Sequence, residues 1–255
     1  MRLLVCVKRV PAPGARINIT ADGKAIDTAF LGFTTSPHEE CALEAAVQLL
    51  ESRSGEVTVL TLGPPEAEEQ LRYAASVGAA HAVLLTTDGS DWDPQRTARA
   101  IAAAVVDLEA AAGPFDLILF GNESADSGGF QVGVRVAHAL GRPMVNGAKG
   151  IEVAGDMIEV WRESEAGREV YRLPMPAVVG VKEGINLPRY PTMKGRLASK
   201  KVQVATSPAI AEPGGQRMVR LRAPTEQVSQ TVVLGTGVDA VPAVVDLLES
   251  LGVLR

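Results

Sequence analysis

The chain has 255 residues, 46% of them hydrophobic and only 4% aromatic, with a formal net charge of −5. That length and apolar content suffice for one large domain, or a domain with an appendage, and the acidic balance gives no reason to expect nucleic acid as a partner. Two cysteines, Cys6 and Cys41, lack the number and spacing of a disulfide framework, and no segment approaches about 18 uninterrupted apolar residues. Reduced thiols, a cytoplasmic location and no membrane insertion are the expectation.

From residue 1 to about 145, short apolar runs alternate with longer amphipathic ones. Leu3 to Val7, Val57 to Leu62, Ala82 to Leu85 and Leu117 to Phe120 are strand candidates separated by helix candidates, the β-α-β rhythm of a parallel sheet covered on both faces. Between Lys8 and Ser36 lies a Pro- and Gly-bearing excursion. Ile17-Asn18-Ile19 and Ala25-Ile26 flank Asp22-Gly23 in it and read as a small hairpin. The first helix has a readable start, because Ser36 can cap, Pro37 fits the first helical position and Glu39 completes a capping box. Ala42, Ala46, Leu49 and Leu50 then share one face. Asp93-Pro94 opens a second helix in the same way, running through Ile101, Val105 and Leu108 to Gly113-Pro114.

The stretch from Asp116 to Gly133 carries the strongest functional signal. Its strand runs into Gly121-Asn122-Glu123-Ser124-Ala125-Asp126-Ser127-Gly128-Gly129 and then into a helix-like segment from Phe130 to Leu140. A strand that ends in small residues before a helix puts unpaired N–H groups and a positive dipole end at the mouth of a parallel sheet, where a nucleotide phosphate can sit. A bare turn would require only glycine, whereas Ser124, Ser127 and Gln131 add donors here. A carboxylate repels phosphate, so Asp126 is assigned the cap of the following helix. The start of the first helix should face the same sheet edge. Ser36 to Glu39 are therefore expected to line the pocket from its opposite side, with Cys6 a packed core thiol within reach of the nucleotide.

After Pro143 the rhythm changes. Ile151 to Val153, Met157 to Arg162, Arg168 to Leu173 and Val178 to Lys182, separated by polar turns, read as antiparallel strands extending the sheet. From Leu187 to about Arg217 helix and strand signals lapse, and Ala240 to Leu251 is a short amphipathic helix. Residues 1–186 are accordingly read as an α/β nucleotide-binding domain, and 187–255 as a recognition loop and arm laid on another protein. Between Lys182 and Lys201 stand six basic residues, Lys182, Arg189, Lys194, Arg196, Lys200 and Lys201, against one acid, Glu183. Met193 at the centre of this stretch suits docking onto acidic partners.

Several chemistries are disfavoured. No Gly-x-x-x-x-Gly-Lys-Ser/Thr occurs, and the first strand leads into Arg9-Val10-Pro11-Ala12-Pro13-Gly14 instead of a Gly-x-Gly-x-x-Gly turn. His38, His81 and His138 are scattered singly, so no metal site is expected, and no Ser sits in a nucleophile elbow. With almost no catalytic groups on offer, binding is a better reading than bond chemistry.

Taken in order, several motifs resemble the β subunit of the electron transfer flavoproteins. They are Val5-Cys6-Val7-Lys8-Arg9-Val10, Ser36-Pro37-His38-Glu39-Glu40-x-Ala42-x-Glu44-x-Ala46, Gly63-Pro64, Asp126-x-x-x-x-Gln131-x-Gly133, and Asn186-Leu187-Pro188-Arg189-Tyr190-Pro191-Thr192 leading to Lys200-Lys201. The resemblance spans nearly the whole chain. It implies a Rossmann-like, adenine-nucleotide-binding α/β fold: a parallel-core sheet covered by helices, with an antiparallel extension and an extended C-terminal arm. It also implies a heterodimer whose larger α subunit carries most of the FAD contacts, while this subunit binds AMP and helps to enclose the flavin.

On matching positions the resemblance assigns nucleotide contacts to Cys6, Ser36, Pro37, His38, Glu39, Leu62 and Phe120, and to Ser124, Ala125, Asp126, Ser127, Gly128, Gly129, Phe130, Gln131, Val132, Gly133, Val134 and Arg135. His38 would lie nearest the flavin. Docking of flavin dehydrogenases such as acyl-CoA dehydrogenases falls to Arg189, Tyr190, Met193, Lys194 and Arg196, with electrons passing to a quinone oxidoreductase or another acceptor. Some members hold a second FAD in place of AMP and bifurcate electrons, an alternative the residues leave open. The rival of another class is an ATP-binding enzyme or stress-response module on a similar fold. Ser127-Gly128-Gly129 is superficially similar to the Ser-Gly-Gly loop of ATP pyrophosphatases, which follows a first strand instead of a late one.

Overall fold

A computed structural model describes residues 1–90, 92–224 and 231–254. The apolar runs pair as strands whose successive side chains point to opposite faces, each face covered by helices. In chain order the elements are β1 (Arg2–Val7), β2 (Val10–Pro11), β3 (Phe33–Thr34), α1 (Pro37–Glu51), β4 (Glu56–Gly63), α2 (Glu68–Val77), β5 (His81–Thr86), α3 (Pro94–Ala112), β6 (Leu117–Gly121) and α4 (Val132–Ala139). Then come β7 (Met144–Ala154), β8 (Met157–Ser164), β9 (Gly167–Pro174), β10 (Ala177–Val181), α5 (Met193–Ser199), β11 (Val204–Pro208) and α6 (Val241–Ser250). The main sheet has nine strands in the order β11-β5-β4-β1-β6-β10-β7-β8-β9. All neighbours from β11 to β7 are parallel, and β7-β8-β9 is an antiparallel extension. The fold is thus the α/β class expected from the chain's rhythm.

Period-two alternation sorts the core into two layers. Leu3, Val5 and Val7 of β1 pack with Ala42 and Ala46 of α1 and Leu71 of α2 on one face. Leu4 and Cys6 pack with Ile118 and Phe120 of β6, Ile101 and Val105 of α3, and Val136 of α4 on the other. Leu3, Leu4 and Val5 are fully buried, each side chain stabilising the fold by about 2 kcal/mol relative to exposure. Ala42 and Ala46 are small enough to bring α1 close to the strands, which explains the alanine-rich, aromatic-poor composition.

The structure corrects several local readings. The strand at Val178 to Lys182 is not part of the antiparallel extension: β10 inserts between β6 and β7, parallel to both. All five of its residues are buried, the signature of a strand covered on both faces, whereas β9 alternates between exposed and half-buried positions. The hairpin expected around Asp22-Gly23 is present but short, with one antiparallel bridge, Ile19 to Ile26, flanked by the Thr20 N–H to Ala25 and Asp27 N–H to Asn18 backbone bonds, while β2 and β3 pair at the root of the excursion. The stretch from Leu187 to Arg217, read as irregular, contains α5 and β11. Thr192 caps α5 by accepting from the Gly195 N–H at 3.0 Å, and β11 pairs in parallel with β5 at the sheet edge. Helix α2, between the two helices whose starts were readable, has no side-chain cap to announce it.

By compactness the chain divides into Met1–Leu221 and Arg222–Arg255. The second unit contains a 3-10 turn at Gly237–Ala240 leading directly into α6, close to the helix expected at Ala240 to Leu251. No helix among the described residues is long and apolar enough to cross a membrane.

Candidate functional site

The connection after β1 leads through α1 to β4 on one side, and the connection after β6 leads through α4 towards β7 on the other. Adjacent strands whose connections diverge leave a crevice at their carboxyl ends, the usual ligand position in such sheets. Cys6 and Phe120 are paired in register at this end of β1 and β6, and Leu62 of β4 packs into the same apolar layer. Glycine is required where β6 leaves the sheet, because a Cβ at Gly121 would lie 2.8 Å from Glu39 Cγ and 3.1 Å from its backbone N. The first turn of α1 is thereby pressed against the exit of β6, as the sequence reading anticipated.

The capping box at α1 is complete. Ser36 Oγ accepts from the Glu39 N–H at 3.4 Å, and Glu39 Oε2 accepts from the Ser36 N–H at 3.1 Å. Ser36 Oγ also donates to the Glu123 carbonyl at 3.4 Å. His38 Nδ1 accepts from the Glu183 N–H at 2.9 Å, so its proton sits on Nε2, 3.3 Å from the Glu123 carboxylate. The imidazole therefore joins the turn after β10 to the loop after β6. Glu39 itself is buried, and that burial pushes its carboxyl up to about 8, against hydrogen bonds from the Lys8 and Ser36 amides and the Lys8 charge.

Asp126 does not cap α4, contrary to expectation. Its Oδ2 pairs with Lys8 Nζ at 2.6 Å and its Oδ1 accepts from the Ser127 N–H at 2.7 Å. Burial opposes its ionisation. The Lys8 charge, with bonds from Lys8, Ser124 and Ser127, outweighs that cost and leaves the carboxyl below its ordinary value. The helix expected from Phe130 starts instead at Val132, with Gln131 at the cap position making no side-chain cap bond. Gln131 Oε1 accepts from Arg135 at 2.9 and 3.1 Å. Helices α1 and α3 are both capped, by Ser36 and Asp93, so among these three α4 alone leaves its first-turn amides without a side-chain acceptor.

Ser124 and Ser127 stand 3.0 Å apart, hydroxyl to hydroxyl, ahead of that helix. Gly128 and Phe130 both adopt φ of 53°; glycine does so freely, whereas Phe130 is held in a left-handed conformation that side chains disfavour. A Cβ at Gly133 would lie 3.0 Å from Met144 Cε and 3.2 Å from the Phe120 ring, so glycine there lets α4 pack against β6 without shifting either side chain. Two hydroxyls, uncapped amides and a carboxylate neutralised by Lys8 form a donor set that suits a phosphate, while Cys6, Leu62 and Phe120 supply apolar surface beside it. Burial, with the Glu39 charge, pushes the Cys6 thiol far up, which makes it a packing group and not a nucleophile.

The structure thus gathers Cys6, Ser36 to Glu39, Leu62, Phe120 and the Ser124 to Arg135 segment at one sheet edge. The residue-level reading missed the roles of Lys8, Glu123 and Glu183, which pair with or bond to the predicted site residues. All three lay within stretches already singled out, Lys8 in the first-strand motif, Glu123 in the loop after β6 and Glu183 in the basic run, but nothing local in the sequence names their partners.

The expected docking residues divide. Arg189 binds Glu44 through Nε at 2.7 Å and Glu51 through Nη2 at 2.7 Å, so its guanidinium clamps this segment onto α1. Tyr190 and Met193 are 91% and 75% exposed, and Lys194 and Arg196 are exposed beside them. Leu187 and Leu197, also largely exposed, enlarge this apolar patch. Gly195 lets α5 approach α2, since a Cβ there would overlap the Ser76 carbonyl.

A family model described as the electron transfer flavoprotein domain matches residues 27–212. The chain is 36% identical over 226 residues to the electron transfer flavoprotein subunit beta of Syntrophomonas wolfei, covering 88% of this chain and 86% of that one. It is 34% identical over 217 residues to the protein of that description from Megasphaera elsdenii, covering 83% and 79%. To the protein FixA of Bradyrhizobium diazoefficiens it is 35% identical over 210 residues, covering 80% and 72%. The family match takes in α1, β4, β6 and α4 around the crevice and the exposed patch around Met193, with β1 ahead of it, and the chain belongs to the electron transfer flavoprotein family, with β subunits among its relatives.

Proposed function

We propose that this chain is the β subunit of a heterodimeric electron transfer flavoprotein, binding AMP in the crevice between β1 and β6 and helping to enclose an FAD held mainly by an α subunit. The uncapped start of α4, together with the capped first turn of α1 pressed against the exit of β6, is the observation that carries this reading. Amides of Val132 to Val134 and the hydroxyls of Ser124 and Ser127 hold the phosphate, and Lys8 keeps Asp126 neutralised beside it. Ser36 to Glu39 close the opposite wall, with His38 on the side facing the flavin. FAD, when bound, supplies the redox centre; this chain's residues position it and exclude water.

Flavin dehydrogenases such as acyl-CoA dehydrogenases dock on the patch formed by Tyr190, Met193, Lys194 and Arg196, and a quinone oxidoreductase or another acceptor takes the electrons onward, in the cytoplasm. The arm that carries α6 packs on the α subunit. Co-purification with an α subunit tests the reading. A yellow complex that releases FAD and AMP in equal amounts on denaturation is expected, and release of two flavins without AMP would mark the bifurcating form. A colourless complex that retains no purine compound would defeat the proposal.

A further inference from the structure

A second concavity lies at the carboxyl ends of β6 and β10, where β7 runs alongside. It has a volume of about 240 Å³ and is lined by Asn122, Asn146, Lys149, Arg162 and Lys182. The backbone builds it. Gly180 of β10 pairs with Asn146 of β7, and the register then shifts, so that Val181 pairs with Ala148 and Gly147 bulges out at φ of 74°. A side chain at position 180 would overlap Asn146 Oδ1, so glycine there lets the Asn146 amide lie across the end of β10. The bulge widens the end of the sheet as it changes from parallel to antiparallel pairing.

The lining is rich in donors that lack acceptors. Arg162 is oriented by Glu169, 2.6 Å from its Nε. Lys149 Nζ spends one donor on the Glu183 carbonyl at 2.6 Å. Among the described residues, the Lys182 ammonium and the side-chain amides of Asn122 and Asn146 make no hydrogen bond or ion pair. Glu163 is the one acid in the lining. Three cations and two amides converging on a small concavity call for a compact anion made of acceptors, which is the chemistry of a phosphate. The volume is below the roughly 300–1,000 Å³ of a pocket that engulfs a whole small molecule, so the ligand is a group and not an entire cofactor.

We propose that this cavity binds a phosphate or diphosphate group at a site separate from the crevice between β1 and β6. The two sites share a wall, since the Glu183 N–H bonds His38 of the crevice while the Glu183 carbonyl holds Lys149. The proposal does not rest on the AMP reading. Its test is calorimetric titration of the full chain with inorganic diphosphate, inorganic phosphate and AMP. Diphosphate is expected to bind at one saturable site whether or not the protein is first saturated with AMP. Lys182→Ala should weaken it about tenfold, the effect of one lost hydrogen bond to a charged group, while Lys182→Arg retains it and neither variant alters AMP binding.

Comparable binding of inorganic phosphate would identify a monophosphate site, and preference for diphosphate a site for the longer group; both support the proposal. Competition between diphosphate and AMP would place the anion in the crevice and overturn it. So would an absence of saturable binding, or binding indifferent to Lys182→Ala. Burial of Lys182 by an acidic partner protein, without phosphate binding by the free chain, would overturn it in favour of a protein interface.

Discussion

Replacing Glu39 with glutamine should change how the stability of the fold depends on pH. Burial raises the Glu39 carboxyl from 4.5 to about 8, partly offset by the Lys8 and Ser36 amides and the Lys8 charge, with Asp126 raising it further. Because the folded state holds this proton more tightly than the unfolded chain, folding takes up a proton between those two values. The associated stability is fully present below about 4.5 and is lost as pH rises through about 8. At about 1.4 kcal/mol per decade of proton concentration, the loss between pH of about 5 and about 8 amounts to about 3 kcal/mol. Glutamine keeps one oxygen for the Ser36 N–H and cannot ionise. Losing the second acceptor displaces its curve as a whole without adding slope. Urea unfolding of both proteins across that range, without nucleotide, should show their stability difference changing by about 3 kcal/mol in favour of Glu39→Gln at the alkaline end. Parallel curves would refute the assignment of a buried, protonated carboxyl at this position.

Gly128→Val should empty the proposed AMP site, because φ of 53° is strained for a β-branched residue; mass spectrometry of the denatured complex with an α subunit should find the purine lost, and full occupancy would contradict the placement. Glu109→Ala should destabilise the chain by about 3 kcal/mol in urea unfolding. It strips Arg142, whose side chain is only 9% exposed, of both carboxylate bonds, at 2.6 and 2.8 Å, and frees the Phe115 N–H. Met193→Ala should leave flavin content and melting temperature unchanged while slowing reduction by a flavin dehydrogenase in stopped-flow measurements, since three quarters of the side chain is exposed. An unchanged rate would remove Met193 from the docking patch.

What could be read along the chain was whatever is local. Ser36 and Glu39, three residues apart, satisfy each other's backbone, and Asp93 serves the two amides that follow it, so both helix starts are written within one turn. The apolar runs of β1, β4 and β6 are continuous because helices cover both faces, and that pattern needs no knowledge of the neighbours. Gly121 and Gly133, where neighbouring side chains approach closely, and Gly128, at φ of 53°, likewise marked the crevice.

What only the folded chain decided were choices among distant partners. Asp126 has the composition of a cap, yet Lys8, brought beside it by the pairing of β1 with β6, offers an opposite charge at 2.6 Å and draws it away from α4. Arg189 reads as one cation in a basic run, but Glu44, 145 residues earlier, claims it. β11 carries too few apolar residues to signal a strand and forms because the open edge of β5 supplies hydrogen-bonding partners. Local sequence encodes which groups can cap, pair or bury, and tertiary proximity selects among the partners available to each, because electrostatic and hydrogen-bond energies depend on distance in space and not along the chain.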